Sequence, residues 1–488
     1  MWSVCFRALW RSGWGALCFL VAVGGSSAVF AASPSATGVL PRIRLSQDGQ
    51  GFTTADGRPY VPFGVNYYRP GTGWAPQVWK QFDAEATRRD FARMKELHLN
   101  CVRVFLTFGS FCREPGKLDP DGLAKFDQFL ALAEAAGIYV HPTGPDHWEG
   151  LPDWARGDRI ADDLVLEALE SFWRELAARY RGRAVLFAYD LLNEPEVRWD
   201  SPALRHKWKQ WVERRYTTAV QAAAAWQQPV GSITMSAPPI PPRENAPGSA
   251  WLLDYQRFRE EIADDWTRRQ AAAIKSADPE ALVTVGLIQW SVPVLLAAPW
   301  QYSGFRPERQ APFLDFLEVH FYPLDHGAYQ YAGEESEARN LAYLESVVRE
   351  VARPGKAVVI GEFGWYGGGK PTFDGGRHPA ATEAQQARWG RSVVETTKGL
   401  ASGWLNWGFH DHPESGDVSQ LTGLLTVSGE IKEWGRAFSA LSRRLGETHP
   451  IAKTIGNRPE LDWDELLTGT TAGRDFRERY YRAYLAER

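Results

Sequence analysis

Eight short apolar runs, each followed by a stretch that can form a helix, constrain this chain more than any other feature. They begin at Tyr60, Cys101, Ile138, Phe187, Ala281, Phe313, Ala357 and Ser402. Between them, apolar residues recur at helical spacing, as at Phe91, Met94 and Leu97, or at Leu169, Phe172, Trp173 and Leu176. Runs that are apolar on both faces belong in a parallel sheet covered by helices. Eight repeats of that alternation predict an α/β fold, a (β/α)8 barrel. With 488 residues the chain has room for such a barrel with insertions, or for two domains.

Two of the runs end in a carboxylate. Phe187 to Pro195 closes with Asn193-Glu194-Pro195, and Ala357 to Trp365 carries Glu362 between Gly361 and Gly364. Pro195 cannot donate to a sheet ladder and biases Glu194 towards an extended conformation. The flanking glycines let backbone or ligand come close to Glu362. The carboxyl ends of barrel strands are where chemistry is done, so the two carboxylates can face one another across a cleft. Glycoside cleavage needs such a pair.

Other polar residues fall at the same level. Asn66 follows the first run. Arg103 lies inside the second, where its charge needs a partner, either as a bridge between strands or as a holder of a catalytic carboxylate. After the third run, either His141 or His147 could line the cleft, with Trp148 nearby; Trp290 follows the fifth. His320 and Tyr322 stand two apart at the end of the sixth, so they point the same way. Trp365 and Trp407 follow or end the seventh and eighth. The chain holds 22 Trp, and tryptophans in loops after strands suit stacking against sugar faces.

Around this frame the chain divides simply. Arg7 and Arg11 precede an apolar run from Trp14 to Val23 and then small residues, the pattern of a signal peptide over 1–32. A leader over 33–50, a barrel over 51–447 and a helical extension over 448–488 follow. Residues 198–279 form an insertion after the fourth strand, placed to shape the cleft. The mature protein is expected to be exported, soluble and monomeric, without stable membrane insertion once the signal is removed. A net charge of −4 gives no electrostatic case for nucleic acid as a partner. Cys101 and Cys112 flank a strand and are not expected to pair. No cofactor is implied and no metal site is expected; His410, Asp411, His412 and Glu414 read as solvated loop residues.

Taken in order, Arg103, Asn193-Glu194-Pro195, His320 with Tyr322, Glu362 and Trp407 resemble the retaining glycosidases of clan A. The pattern is most similar to glycoside hydrolase family 5, the cellulase and β-mannanase family, from about Gly51 to Leu445. The insertion, at Tyr216 to Trp226 and Trp251 to Phe258, is similar to family 42 β-galactosidases. The resemblance implies that Glu194 is the acid/base, Glu362 the nucleophile, and Asn193 a donor to the sugar 2-hydroxyl. It also implies that Tyr322 donates to the nucleophile, His320 supports the acid/base or a sugar hydroxyl, Arg103 orients Glu362 and Trp407 lies beneath the sugar. The implied activity is hydrolysis of a β-linked polysaccharide or oligosaccharide, mannan or glucan in type, by double displacement. The alternatives are an exo-acting β-glycosidase or β-galactosidase, a transglycosylase, or a non-catalytic carbohydrate-binding barrel. A general acid must hold a proton near neutrality, which apolar surroundings favour, and Glu194 between apolar residues fits that need.

Overall fold

The apolar runs become eight parallel strands closed into a barrel: β1 (Phe63–Asn66), β2 (Cys101–Thr107), β3 (Tyr139–Asp146), β4 (Tyr189–Asn193), β5 (Val283–Leu287), β6 (Leu317–Phe321), β7 (Val358–Phe363) and β8 (Gly403–Trp407). Consecutive strands pair, and β8 returns to β1 with Trp404 opposite Phe63 and Trp407 opposite Asn66. This computed structural model describes residues 40–72, 78–243, 248–294, 296–323, 331, 333–373, 375, 377–446 and 456–487. The signal segment and the first part of the leader lie outside the described residues.

Strand boundaries depart from expectation where proline misleads. The first run splits at Pro62. Pro59–Tyr60 joins Phe52–Thr54 and Ile43–Leu45 in a small antiparallel sheet, so residues 43–45 form a strand where a leader was expected. The third strand continues past His141 to Asp146, with Pro142 opposite Val104 of β2. Two prolines in that stretch argued against a central strand.

The small sheet closes the amino-terminal end of the barrel. Phe52 is fully buried and meets Phe187 and Phe316 edge-on, with ring centres 5.0 and 5.1 Å apart. Helices cover the outside of the strands. Asp162 caps the helix Asp163–Arg179, which packs against the long helix Ala250–Ala277. The insertion opens with two helices, Pro202–Arg215 and Ala219–Trp226, the second started by a capping box of Thr218 and Gln221.

At the carboxyl end of the chain, Trp463–Thr468 and Thr470–Leu485 are helical. Arg458 donates to the buried Glu345 at 2.8 Å, tying this extension to the helix Glu334–Ala352. Cys101 and Cys112 are buried and free. Among the described residues, no helix is long and apolar enough to cross a membrane.

Candidate active site

Arg103 is the centre of the site. It is fully buried on β2, where alternation turns its side chain into the barrel. Its guanidinium reaches four strands at once. Nη1 donates to Glu362 Oε1 at 2.6 Å and to Asn66 Oδ1 at 2.8 Å. Nη2 donates to Asp190 Oδ2 at 2.7 Å and to Asn193 Oδ1 at 2.9 Å. Glu318 Oε1 lies 3.3 Å from Nε. The guanidinium therefore bridges strands and holds the Glu362 carboxylate at once. Burial opposes its charge, but Asp190, Glu362 and Glu318 more than offset this and raise its pKa.

Glycine makes room for this network. A Cβ on Gly361 would lie 1.9 Å from Glu318 Oε1, and one on Gly286 would lie 3.0 Å from Arg103, Asp190 and His320. No larger residue fits at Gly361 without displacing the Glu318 carboxylate.

The two expected carboxylates meet above Arg103. Glu362 Oε2 accepts from the Tyr322 hydroxyl at 3.0 Å. His320 Nδ1 donates to Glu194 Oε1 at 3.0 Å and lies 3.6 Å from Glu362 Oε1. One atom each from Glu194, His320 and Glu362 all lie within 4.8 Å of one another. His320 and Tyr322 thus do point the same way, one to each carboxylate.

Glu194 differs from expectation in two ways. Its φ is +46°, the left-handed region, not extended. The backbone is held there because Glu194 N donates to Gly286 O at 2.8 Å while its side chain meets His320. Such strain is stored at working sites at about 1–3 kcal/mol. Its surroundings are also polar: the side chain is 27 % exposed, and its partner is an imidazole, not an apolar wall.

Electrostatics follow from burial and these partners. Burial works against a charged His320, but Glu362, with hydrogen bonds to Glu194 and Glu318, raises its pKa to about 10. Burial likewise penalises Glu318, yet His141, His320 and Arg103 hold it well below the carboxylate range. For Glu362 burial prevails: its pKa is raised, although His320 and Arg103 pull the other way. The nucleophile that the resemblance implies Glu362 to be must be ionised, so in that role activity should fall on acidification at a pH above the ordinary glutamate value of about 4.3. Tyr322→Phe removes a bond to the ionised form. It is expected to move that acid limb further up and to lower kcat/KM by about tenfold or more. A pH–rate profile with an unmoved acid limb would contradict the role of Tyr322.

The remaining candidates separate clearly. Asn193 Oδ1 accepts from Arg103 and its Nδ2 has no hydrogen bond to any described residue, whereas Asn66 spends its amide on Arg103 and on Gly361 O and so positions others. Trp407 is buried with Tyr68 and Phe105, its indole donating to Ser419 at 2.7 Å, as a floor beside Tyr322 and Trp148. His147 stacks on Trp148, and both line a cavity of about 1010 Å³ with Glu194, Asn193 and Trp290. His141 instead lies inside the barrel, its Nε2 2.7 Å from Glu318, so His147 is the residue that lines the cleft. Trp365 is buried against Tyr366 and His378 and does not line the cavity. Of the residues after β8, His410, Asp411 and His412 are buried, not solvated, whereas Glu414 is exposed as expected: His410 meets Asp90, and Asp411 pairs with Lys432 at 2.9 Å.

Asp190 and Glu318 were missed. Both sit inside apolar runs, two residues or a multiple of two before a site residue: Asp190 before Glu194, Glu318 before His320 and Tyr322. That even spacing was the available signal. Among the described residues, the grouping of acids and histidines able to share an ion is Glu194, His320 and Glu362 itself. Arg103 already holds Glu362 at 2.6 Å, which opposes a second cation there.

Comparison with known proteins agrees with this geometry. The family model described as cellulase, glycosyl hydrolase family 5, matches residues 54–230, and the β-galactosidase model of family 42 matches 160–363. No curated protein matches the sequence. Among solved structures, a family 5 subfamily 18 protein from Streptomyces cattleya, in complex with Manβ1-4GlcNAc, is similar at 19 % identity and a TM-score of 0.61, over 88 % of this chain and 92 % of that one. An exo-β-1,4-mannosidase from Opitutaceae bacterium strain TAV5 is similar at 19 % identity and a TM-score of 0.58, over 82 % of this chain. A β-galactosidase from Halorubrum lacusprofundi is similar at 20 % identity and a TM-score of 0.59, over 82 % of this chain. The chain spans 62 % of the mannosidase and 59 % of the β-galactosidase. By family match, by barrel and by paired carboxylates, the chain is similar to the glycoside hydrolases of families 5 and 42.

Proposed function

We propose that the protein is an exported, monomeric, retaining β-glycosidase that cleaves a β-linked oligosaccharide of mannose or glucose type. The observation that carries this is the placement of Glu194 and Glu362 oxygens within 4.8 Å, bridged by His320. Retaining enzymes hold their carboxyls about 5 Å apart, whereas inverting ones leave room for a water between them at about 6.5–9.5 Å.

The steps follow from the contacts. Glu362, held by Arg103 and Tyr322, attacks the anomeric carbon, and Glu194 gives its proton to the leaving oxygen. Asn193 Nδ2 meets the sugar 2-hydroxyl, a bond that strengthens in the transition state. Glu194, now a carboxylate beside His320, then takes a proton from water as that water displaces Glu362.

Short substrates are favoured over long polymers, because Trp199, Asp200 and Arg243 of the insertion wall the cavity beside Glu194. The names of similar structures, a mannosidase and β-galactosidases among them, support the exo mode as a second reading. The test is digestion of Manβ1-4GlcNAc, mannan-derived and β-glucan-derived oligosaccharides, followed by proton NMR. The first product is expected to be the β-anomer. An α-anomer formed first would overturn the retaining assignment, and single sugars against internal fragments would separate exo from endo action.

Export rests on the Arg7, Arg11 and Trp14–Val23 pattern. Amino-terminal sequencing of the protein recovered outside the cytoplasm should begin near Ser33. A start at Met1 would oppose cleavage.

A further inference from the structure

In double displacement the transferred sugar lies at the nucleophile and the leaving group at the acid. Glu194 lines the cavity of about 1010 Å³ and Glu362 does not, so the leaving group sits in that cavity. One of its walls is the connection from β5 to β6, which supplies Trp290, Trp300, Gln301 and Tyr302.

That wall has little regular structure of its own. Gln289–Ser291 and Pro299–Gln301 are single short turns. A connection of this kind takes its position from whatever satisfies its backbone and packs behind it. Here the carboxyl-terminal extension does both. Leu467 is buried in one cluster with Leu296 and Tyr302, and Trp290 packs against the same cluster. Arg477 donates to Val294 O at 2.6 Å. The fully buried Gln256 of the insertion donates through one nitrogen to Pro299 O at 2.8 Å and to Leu467 O at 3.3 Å. A single side chain thus joins wall, insertion and extension.

The extension is fixed on both sides of the wall. Asp464 pairs at 2.7 Å with Arg257 of the helix Ala250–Ala277, and Arg458 pairs at 2.8 Å with Glu345 of the helix Glu334–Ala352. Neither Leu467 nor Arg477 lines the cavity, so both can act on a ligand only through the wall.

We propose that the extension belongs to the leaving-group site: Leu467 and Arg477 are positioning residues that hold Trp290 and Trp300 in the cavity wall and so set the preference for a sugar as leaving group. The inference rests on the retaining-glycosidase reading for the side of the acid on which that sugar lies.

The test compares two kinds of substrate in the full chain. One is Manβ1-4GlcNAc, mannobiose or cellobiose, and the other is the dinitrophenyl glycoside of the same transferred sugar. Dinitrophenolate departs without a proton and offers no sugar hydroxyl to the wall. The ratio of the two kcat/KM values cancels any loss of folded protein. Leu467→Ala and Arg477→Gln are each expected to lower that ratio by about tenfold or more, because small displacements of a binding group are costly. Amide hydrogen exchange over 289–294 and 296–302 should rise in the same variants while β7 keeps its protection. If Leu467→Ala does not fold, Arg477→Gln decides alone. An unmoved ratio would overturn the proposal, and so would unchanged exchange in the wall. Faster exchange in the wall of both variants, with no glycoside cleaved by the wild type, would remove the glycosidase reading and leave the tie between extension and wall standing. Wild-type hydrolysis with an unmoved ratio would do the reverse.

Discussion

Glu362→Gln is expected to lower turnover by on the order of 10⁵-fold while the protein stays folded. Glutamine keeps an oxygen that can accept from Arg103, so the network beneath survives, but a neutral amide cannot form the glycosyl-enzyme bond. Glu194→Ala should behave differently. Losing a general acid costs about 10²–10⁴-fold, and the loss shrinks when the leaving group is a phenol acidic enough to depart without a proton. Azide then separates the two roles. In Glu194→Ala, azide replaces the water of the second step and gives the β-glycosyl azide. In Glu362 variants shortened to Ala it attacks directly and gives the α-azide. Kinetics on aryl glycosides with NMR of the azide product check both. Wild-type turnover in Glu362→Gln, or the two azide anomers exchanged between variants, would remove the assignment.

The barrel could be read from the sequence because its strands are buried on both faces and its helices on one, which writes two different periodicities into the chain. The facing carboxylates were legible for a related reason: Glu194 and Glu362 interrupt apolar runs at their carboxyl ends, where no packing argument explains them. His320 and Tyr322 were legible from their spacing. Asp190 and Glu318 were not, because a carboxylate in mid-strand is justified only by a charge arriving from another strand, here Arg103 of β2. Glu194's backbone also escaped the sequence. The local effect of Pro195 favours extension, and tertiary bonds to Gly286 and His320 override it. Similarly, His410 and Asp411 looked like loop residues because their partners, Asp90 and Lys432, are distant in sequence.

Arg103→Met is expected to be the most damaging substitution for the fold. It leaves Asp190 and Glu318, both fully buried, without the cation between them, and frees Glu362 from its shortest bond. Removing one partner of a buried ion pair typically costs about 3–5 kcal/mol, a large share of the stability of most domains. The pH dependence identifies the cause. Without Arg103, which lowers them both, the pKa values of Glu318 and Glu362 rise in the folded state, so folding favours their protonated forms. The deficit is then full at neutral pH and shrinks as the pH falls through those raised values. Thermal unfolding of Arg103→Met should therefore approach that of the wild type on mild acidification, while at neutral pH it lies well below. Arg103→Lys keeps one charge but loses the planar fork that serves Glu362, Asp190, Asn66 and Asn193 separately. It should fold more stably than the methionine variant and still lose most turnover, because a single ammonium cannot hold Glu362 and Asn193 at their present positions together. Equal melting temperatures for Arg103→Met and the wild type at neutral pH would show that the barrel interior does not depend on this charge. A deficit that does not change with pH would assign the damage to lost packing against Phe105, whose ring lies 4.9 Å from the guanidinium, and not to the stranded carboxylates.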